Sequence, residues 1–248
     1  MSMSEIDYYS VIEDLYSIKD YDAHLKYESI LKFANTHKIS INISNDNNDR
    51  NLLYLAGENL DIGCVDFCLK NGCDIDELGN VMKISMQNYA AKPEKTLEFI
   101  DNVIKKGADM WDVFHYSLVW SGLLDINKHL LKNYANKNKN NKNNFEIVAL
   151  NSTFEMIGRF GNFVSLKYVL EHEMLKKFVT MKNLCVVLNE AICVDTYCEI
   201  QRYYLIKYLV KDKQIKLDDL KMSKINAFIA AYGKNPTKPV YMPDLFKK

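Results

Sequence analysis

The sequence predicts an all-α fold, built as a solenoid of irregular helical hairpins. Three observations support this prediction. Apolar residues recur at helical spacing in short segments, and these segments end at turn-forming residues. The pattern also returns at intervals of 27 to 41 residues along the 248-residue chain. A period near the mid-thirties is typical of a stack of small repeats and not of a single globular core.

The clearest segment is "NLLYLAGENLDIGCVDFCLKNGCDID", residues 51–76. Its apolar residues fall on two short helical stripes, at Leu52, Leu53 and Ala56, then at Ile62, Val65, Cys68 and Leu69. We expect two helices of about two turns each, broken near Leu60 and ended by Asn71 and Gly72. Helices this short are unstable alone, so neighbouring segments must stack on them.

Related segments occur along most of the chain. Residues 119–136 and 158–173 overlay residues 57–74 without a gap, and residues 97–109 and 205–215 repeat the second helix with its stop. Residues 27–41 form a plausible first copy. The predicted stops lie near His37, Gly72, Gly107, Tyr134, His172 and Lys213.

These segments resemble the ankyrin repeat. The endings "KNGCD", "KKGAD" and "KNYAN" are similar to that family's Asn-Gly-Ala-Asp-like ending. The family's Thr-Pro-Leu-His opening is replaced at 51–54 and 112–115, so the resemblance implies short or missing fingers between repeats. "AAKPEK" at 90–95 is expected between the helices of one copy, and the finger at 107–114 is cut nearly to nothing.

The implied organisation has three parts. Residues 1–24 are an N-terminal capping helix region, and residues 25–217 hold five to six degenerate repeats. A flexible Asn/Lys loop interrupts these repeats at 136–144, and residues 218–248 form a capping helix with a proline-containing tail.

Composition limits the classes of partner. Acidic and basic residues both number 32, so a balanced total gives no long-range attraction to nucleic acid or to anionic membranes. No signal peptide or transmembrane segment is visible, and we expect an intracellular, cytoplasmic protein with reduced cysteines. Lysine outnumbers arginine 29 to 3, which indicates an A/T-rich genome such as that of a large DNA virus.

The residues of the chain predict no enzyme, cofactor or metal. No phosphate-binding glycine loop, Gly-x-Ser-x-Gly elbow or His-Glu-x-x-His motif is present. Cys64 and Cys68 lie four residues apart, yet the repeat frame places them at buried positions, and no further ligands complete a zinc set. His115 falls where the ankyrin pattern has its hydrogen-bonding histidine, which favours a structural role.

The resemblance implies recognition of another protein through the concave face of the solenoid. Glu58 aligns with Trp120 and Arg159 at exposed first-helix positions, and Phe160 follows Arg159. Trp and Arg are enriched in binding hot spots. The predicted partner-binding residues are Tyr54, Glu58, Trp111, Trp120, Arg159 and Phe160. Burial of these aromatics between repeats, and a structural subunit of a larger assembly with self-association, remain the alternatives.

Overall fold

Helices make up the regular structure of the described chain. The computed structural model describes residues 7–19, 22–44, 50–119, 123–134, 145–193 and 199–234, and within these ranges there are thirteen α-helices and no strand. This confirms the predicted all-α class. The chain divides into two compact units, Met1–Phe114 and His115–Lys248.

The first unit consists of paired helices. Its elements are α1 (Tyr8–Ser17), α2 (Ala23–His37), α3 (Leu52–Asn59), α4 (Ile62–Lys70), α5 (Leu78–Ser85), α6 (Pro93–Lys105) and the first half of α7 (Met110–Val119). Short 3-10 turns precede and follow α5, at Ile75–Glu77 and Met86–Asn88. α1 packs on α2, α3 on α4 and α5 on α6, while α3 also packs along α5.

The second unit repeats this pairing. After the end of α7 it contains α8 (Leu124–Tyr134), α9 (Phe145–Arg159), α10 (Phe163–Glu171), α11 (Met181–Cys193), α12 (Glu199–Lys207) and α13 (Asp219–Lys234). A 3-10 turn at Lys176–Phe178 precedes α11, and a π-helical turn at Tyr208–Asp212 extends α12. α9 packs along α11, and α10 packs against α12.

The predicted break at Leu60 is confirmed. Leu60 adopts a left-handed conformation with φ of 57°, and its N–H donates to the carbonyls of Ala56 and Gly57. Asp61 then caps α4 by accepting from the Cys64 N–H at 3.0 Å. Gly72, at φ of 88°, follows the end of α4, as a left-handed C-cap position requires.

In each unit, a glycine allows the first helices of two consecutive hairpins to pack closely. A Cβ on Gly57 of α3 would lie 2.6 Å from the Val81 carbonyl oxygen of α5, and one on Gly158 of α9 would lie 2.6 Å from the Val187 carbonyl oxygen of α11. These distances are far below van der Waals contact. The same packing device therefore occurs in both units, in helices that the repeat frame aligns.

The positions aligned by the repeat frame share their burial. Cys64, Ile126 and Ser165, which share the first aligned position, are each fully buried. Cys68, Leu130 and Val169, which share the second aligned position, are likewise buried. The predicted burial of Cys64 and Cys68 is therefore confirmed.

One prediction about local structure has a different outcome. The repeat pattern assigns residues 107–114, and with them Trp111, to a shortened finger, and this prediction is wrong because α7 begins at Met110 and places Trp111 in its first turn. The Asp109 carboxylate accepts from the Trp111 N–H at 2.9 Å, which starts the helix earlier than the repeat pattern indicates. Trp120 and the loop at 136–144 lie outside the described residues.

Candidate functional site

Arg50 contacts two of the predicted binding residues of the first unit, Tyr54 and Glu58. Its Nη2 lies 2.9 Å from the Glu58 carboxylate and 3.5 Å from that of Glu13 on α1. Its guanidinium also lies 5.0 Å from the ring centroid of Tyr54. The guanidinium of Arg50 therefore contacts both Tyr54 and Glu58, which lie one turn apart on α3. A group held in this way presents a preorganised surface of mixed charge and aromatic character.

Polar contacts at both ends of α3 fix this group. Asn51 caps the helix by accepting from the Tyr54 N–H at 2.8 Å, and its own amide donates to Glu77. At the other end, the Asn88 amide donates to the Glu58 carbonyl at 2.7 Å. The bonds to Glu77 and from Asn88 join α3 to the turns on either side of α5, so the position of Tyr54 and Glu58 depends on the stacking of two hairpins.

Trp111 forms part of a separate aromatic contact in the first unit. Its ring meets that of Phe114 at a centroid distance of 5.1 Å in an edge-to-face arrangement. Phe114 is fully buried, whereas Trp111 is half-buried. Trp111 therefore packs against Phe114 and also keeps a partly accessible ring. This geometry supports both burial between repeats and contact with a partner.

Arg159 and Phe160 form the predicted group of the second unit. The Arg159 Nε donates to Glu190 of α11 at 2.8 Å, and the arginine side chain remains 51% exposed. Phe160, directly after α9, is 43% exposed. The hydrogen bond to Glu190 also raises the pKa of Arg159 above its ordinary value. An exposed ring beside a tethered cation resembles a protein-binding hot spot more than a buried core contact.

Sequence reasoning missed Arg50 and Glu13. The signal that could have identified Arg50 is the scarcity of arginine, since a composition that strongly favours lysine retains arginine at only three positions. All three make directed contacts: Arg50 with two carboxylates, Arg159 with Glu190, and Arg202 with the carbonyl oxygen of Ala191. Arginine is suited to such contacts by its fork of five N–H donors.

A polar cluster of Tyr16, Tyr27 and Asp61 at the start of α4 has a structural role. The hydroxyls of Tyr16 and Tyr27 donate to the Asp61 carboxylate at 3.1 and 3.0 Å, while Asp61 also caps α4. The Tyr27 ring stacks on Phe67 at 4.9 Å. Burial and then the Asp61 charge raise the pKa of both tyrosines well above the ordinary value of 10.0. The tyrosines therefore stay protonated and serve as donors that join the first two hairpins.

These raised pKa values predict a loss of stability at alkaline pH. The unfolded chain releases its tyrosine protons near pH 10.0, while the folded chain holds them to higher pH. Above pH 10.0 the unfolded state thus binds fewer protons, and the free energy of unfolding falls as pH rises. In urea titrations across this range, we expect a shallower fall for Tyr16→Phe/Tyr27→Phe than for the wild type. An equal fall in both proteins would contradict the assignment.

The surroundings of Cys68 and Cys73 disfavour a reactive thiolate, and a hydrogen bond holds His115. A hydrogen bond with Cys64 raises the pKa of Cys68, and one with Cys68 raises that of Cys73, so the thiolate forms are disfavoured. Nδ1 of His115 shares a hydrogen bond of 2.5 Å with Thr153 Oγ1 on α9. Across the described ranges, no group of three or more His, Cys, Asp and Glu side chains is arranged to hold a metal ion.

Comparison with known proteins gives no relative. No family model, no curated protein and no solved structure matches this chain. Within the described ranges, every helix is too short or too polar to span a membrane.

Proposed function

We propose that the chain is a non-enzymatic protein-interaction module with ankyrin-like helical hairpins. Its partner is another protein, and it acts as an adaptor or a blocker. The proposal combines the sequence resemblance with the pairing of helices inside each unit. Stacked hairpins of this kind offer extended, rigid surfaces for protein recognition.

The observation that carries the proposal is the recurrence of one packing arrangement. Gly57 meets the Val81 backbone in the first unit, and Gly158 meets the Val187 backbone in the second. The residue four positions after each glycine caps the next helix: Asp61 bonds the Cys64 N–H, and Asn162 bonds the Ser165 N–H. A single-core enzyme domain has no need of such a periodic arrangement, whereas a repeat module depends on it.

The proposed binding residues lie on or beside the first helices. Tyr54 and Glu58 are held by Arg50 in the first unit, and Arg159 is held by Glu190 beside Phe160 in the second. Each group pairs a partly accessible aromatic ring with a tethered charge. Because these side chains are already ordered, little conformational entropy is lost when a partner binds. Trp111 joins the set as a half-buried ring.

Comparative affinity capture tests this proposal. Full-length wild type, Tyr54→Ala/Phe160→Ala and the control Leu25→Ala/Met181→Ala are used as baits in one cell lysate. The control removes two side chains that are 49% and 61% exposed away from the proposed groups. We expect a protein retained by wild type and the control to be reduced at least about tenfold with the Tyr54/Phe160 variant, because hot-spot residues contribute about 2 kcal/mol each.

Two outcomes would contradict the proposal. Retention of the same proteins by all three baits would remove the proposed residues from the binding site. Capture of nothing except further copies of the chain would favour the alternative function, a structural subunit of a larger assembly. Matching thermal unfolding of the three baits is the control for folding.

A further inference from the structure

The net charge of the whole chain is zero, but the two units carry large net charges of opposite sign. Met1–Phe114 contains 20 acidic and 11 basic residues, a net charge of −9, whereas His115–Lys248 contains 12 acidic and 21 basic residues, a net charge of +9. The expectation of weak electrostatic attraction came from the total alone. Each unit by itself carries enough charge to attract an oppositely charged surface.

Four of the 21 basic residues of the second unit lie at and just after the end of α12. Lys207, Lys211, Lys213 and Lys216, here named the basic stripe, are all exposed. No described carboxylate forms an ion pair with any of the four. Lys207 lies 5.6 Å from the ring centroid of Tyr203, and Lys213 lies 5.4 Å from that of Tyr208. Asp212 is the single acidic residue within 207–216.

Other cations of this unit do have carboxylate partners. Lys128 pairs with Asp125, Lys176 with Glu173, and Lys221 with Asp218. Each of these lysines lies three residues from its acid, so the pair forms locally. Asp212, Asp218 and Asp219 lie close in sequence to the basic stripe, but none of the described ion pairs joins them to its lysines, and its charge remains available for a partner.

The first unit presents a complementary surface on two adjoining turns. Asp74 and Asp76 lie on the turn after α4, and Asp109 lies on the turn after α6; these three exposed residues are here named the acidic turns. The turns touch, because a Cβ on Gly107 would lie 2.7 Å from Cδ1 of Ile75. Ile75 is 47% exposed between the first two aspartates. No described lysine or arginine forms an ion pair with the three carboxylates.

We propose that the basic stripe of one copy docks on the acidic turns of a second copy. The reason is charge complementarity, because every copy carries both the basic stripe and the acidic turns. Ile75 adds an apolar contact at the centre of the acidic turns. The interface is heterologous and joins copies head to tail. It goes beyond the proposed partner site, since it uses none of the same residues.

Single-stranded nucleic acid fits the basic stripe less well. Such ligands bind by stacking their bases on aromatic faces, and here the rings of Tyr203 and Tyr208 already have lysine ammonium groups near them. The stripe also contains no arginine, the residue best suited to bidentate phosphate contacts. A carboxylate surface requires only the point charges that lysine supplies.

Sedimentation velocity of the full chain at two salt concentrations gives the first test. We expect association at about 0.05 M sodium chloride and its loss at about 0.5 M, because screening lengths shorten with ionic strength. A chain that remains monomeric at low salt would overturn the proposal. Association that persists unchanged at high salt would overturn its electrostatic basis.

Charge-swapped variants give the second test. In one, Lys207, Lys211 and Lys213 are changed to Glu; in the other, Asp74, Asp76 and Asp109 are changed to Lys. Each variant alone has like charges on both surfaces, so we expect at least about tenfold weaker association. Mixed in equal amounts, the two variants restore opposite charges at both surfaces, and association should return.

A third variant and two binding arms complete the design. Changing Lys132, Lys177 and Lys182 to Glu alters the net charge equally but spares the basic stripe, and this variant should associate like the wild type. Failure of the mixture to associate, or equal weakening by the control variant, would overturn the docking mode. Binding of a fluorescent oligothymidylate by wild type that is lost with the stripe variant, without association of copies, would assign the stripe to nucleic acid instead.

Discussion

Replacing Gly57 by alanine is expected to lower the free energy of unfolding by about 2 to 3 kcal/mol. Alanine normally stabilises a helix relative to glycine by about 1 kcal/mol, so the expected sign is the reverse of the helix propensity. The added Cβ would lie 2.6 Å from the Val81 carbonyl oxygen and 3.3 Å from its carbonyl carbon. Because both atoms belong to the backbone of α5, relief requires that α3 and α5 separate. Urea denaturation followed by circular dichroism measures the effect.

Two further variants identify the cause of that loss. Gly158→Ala should destabilise the second unit to a similar extent, since its Cβ would meet the Val187 carbonyl oxygen at the same 2.6 Å. Asn80→Ala changes an exposed residue of α5 and should alter stability by no more than about 0.5 kcal/mol. If Gly57→Ala instead stabilises the chain, the close approach of α3 and α5 is incorrect.

Replacing Asp61 by alanine is expected to cost about 3 kcal/mol. The substitution removes the cap on the Cys64 N–H and leaves the hydroxyls of Tyr16 and Tyr27 without their acceptor. Asp61→Asn should cost about 1 kcal/mol, because an amide oxygen can still cap the helix. Asn162 performs this capping in the second unit, where it accepts from the Ser165 N–H at 3.0 Å.

A double-mutant cycle separates the cap from the hydroxyl contacts. In a Tyr16→Phe/Tyr27→Phe background, the cost of Asp61→Ala should fall to that of the cap alone, about 1 kcal/mol. An unchanged cost in that background would show that the tyrosines do not depend on Asp61. Urea denaturation of the four proteins supplies all the terms of the cycle.

Local features of the fold could be predicted from the sequence because they depend on local signals. The break at Leu60 follows from the spacing of apolar residues on either side of it, and the end of α4 follows from Gly72. The shared burial of Cys64, Ile126 and Ser165 follows from the repeat frame. Helix periodicity and glycine stops act over a few residues, so one sequence contains them in full.

Features that depend on distant contacts could not be predicted. The predicted position of Trp111 was wrong because the Asp109 carboxylate accepts from the Trp111 N–H and so starts α7. The repeat pattern contains no such hydrogen bond. The group around Arg50 was missed because Glu13 lies far from it in sequence and reaches it through the packing of α1 and α3. The sequence predicted Tyr54 and Glu58 as binding residues but contained no local sign that one arginine joins them.

Site-specific photo-crosslinking tests the central claim, a partner protein bound at the first helices, most directly. A photoreactive phenylalanine analogue replaces Tyr54 in one protein and Leu25, an exposed residue of α2, in another. After irradiation in cells, we expect a covalent adduct with a different protein from position 54 and none from position 25. Adducts from position 25 alone, or from neither position, would contradict the account.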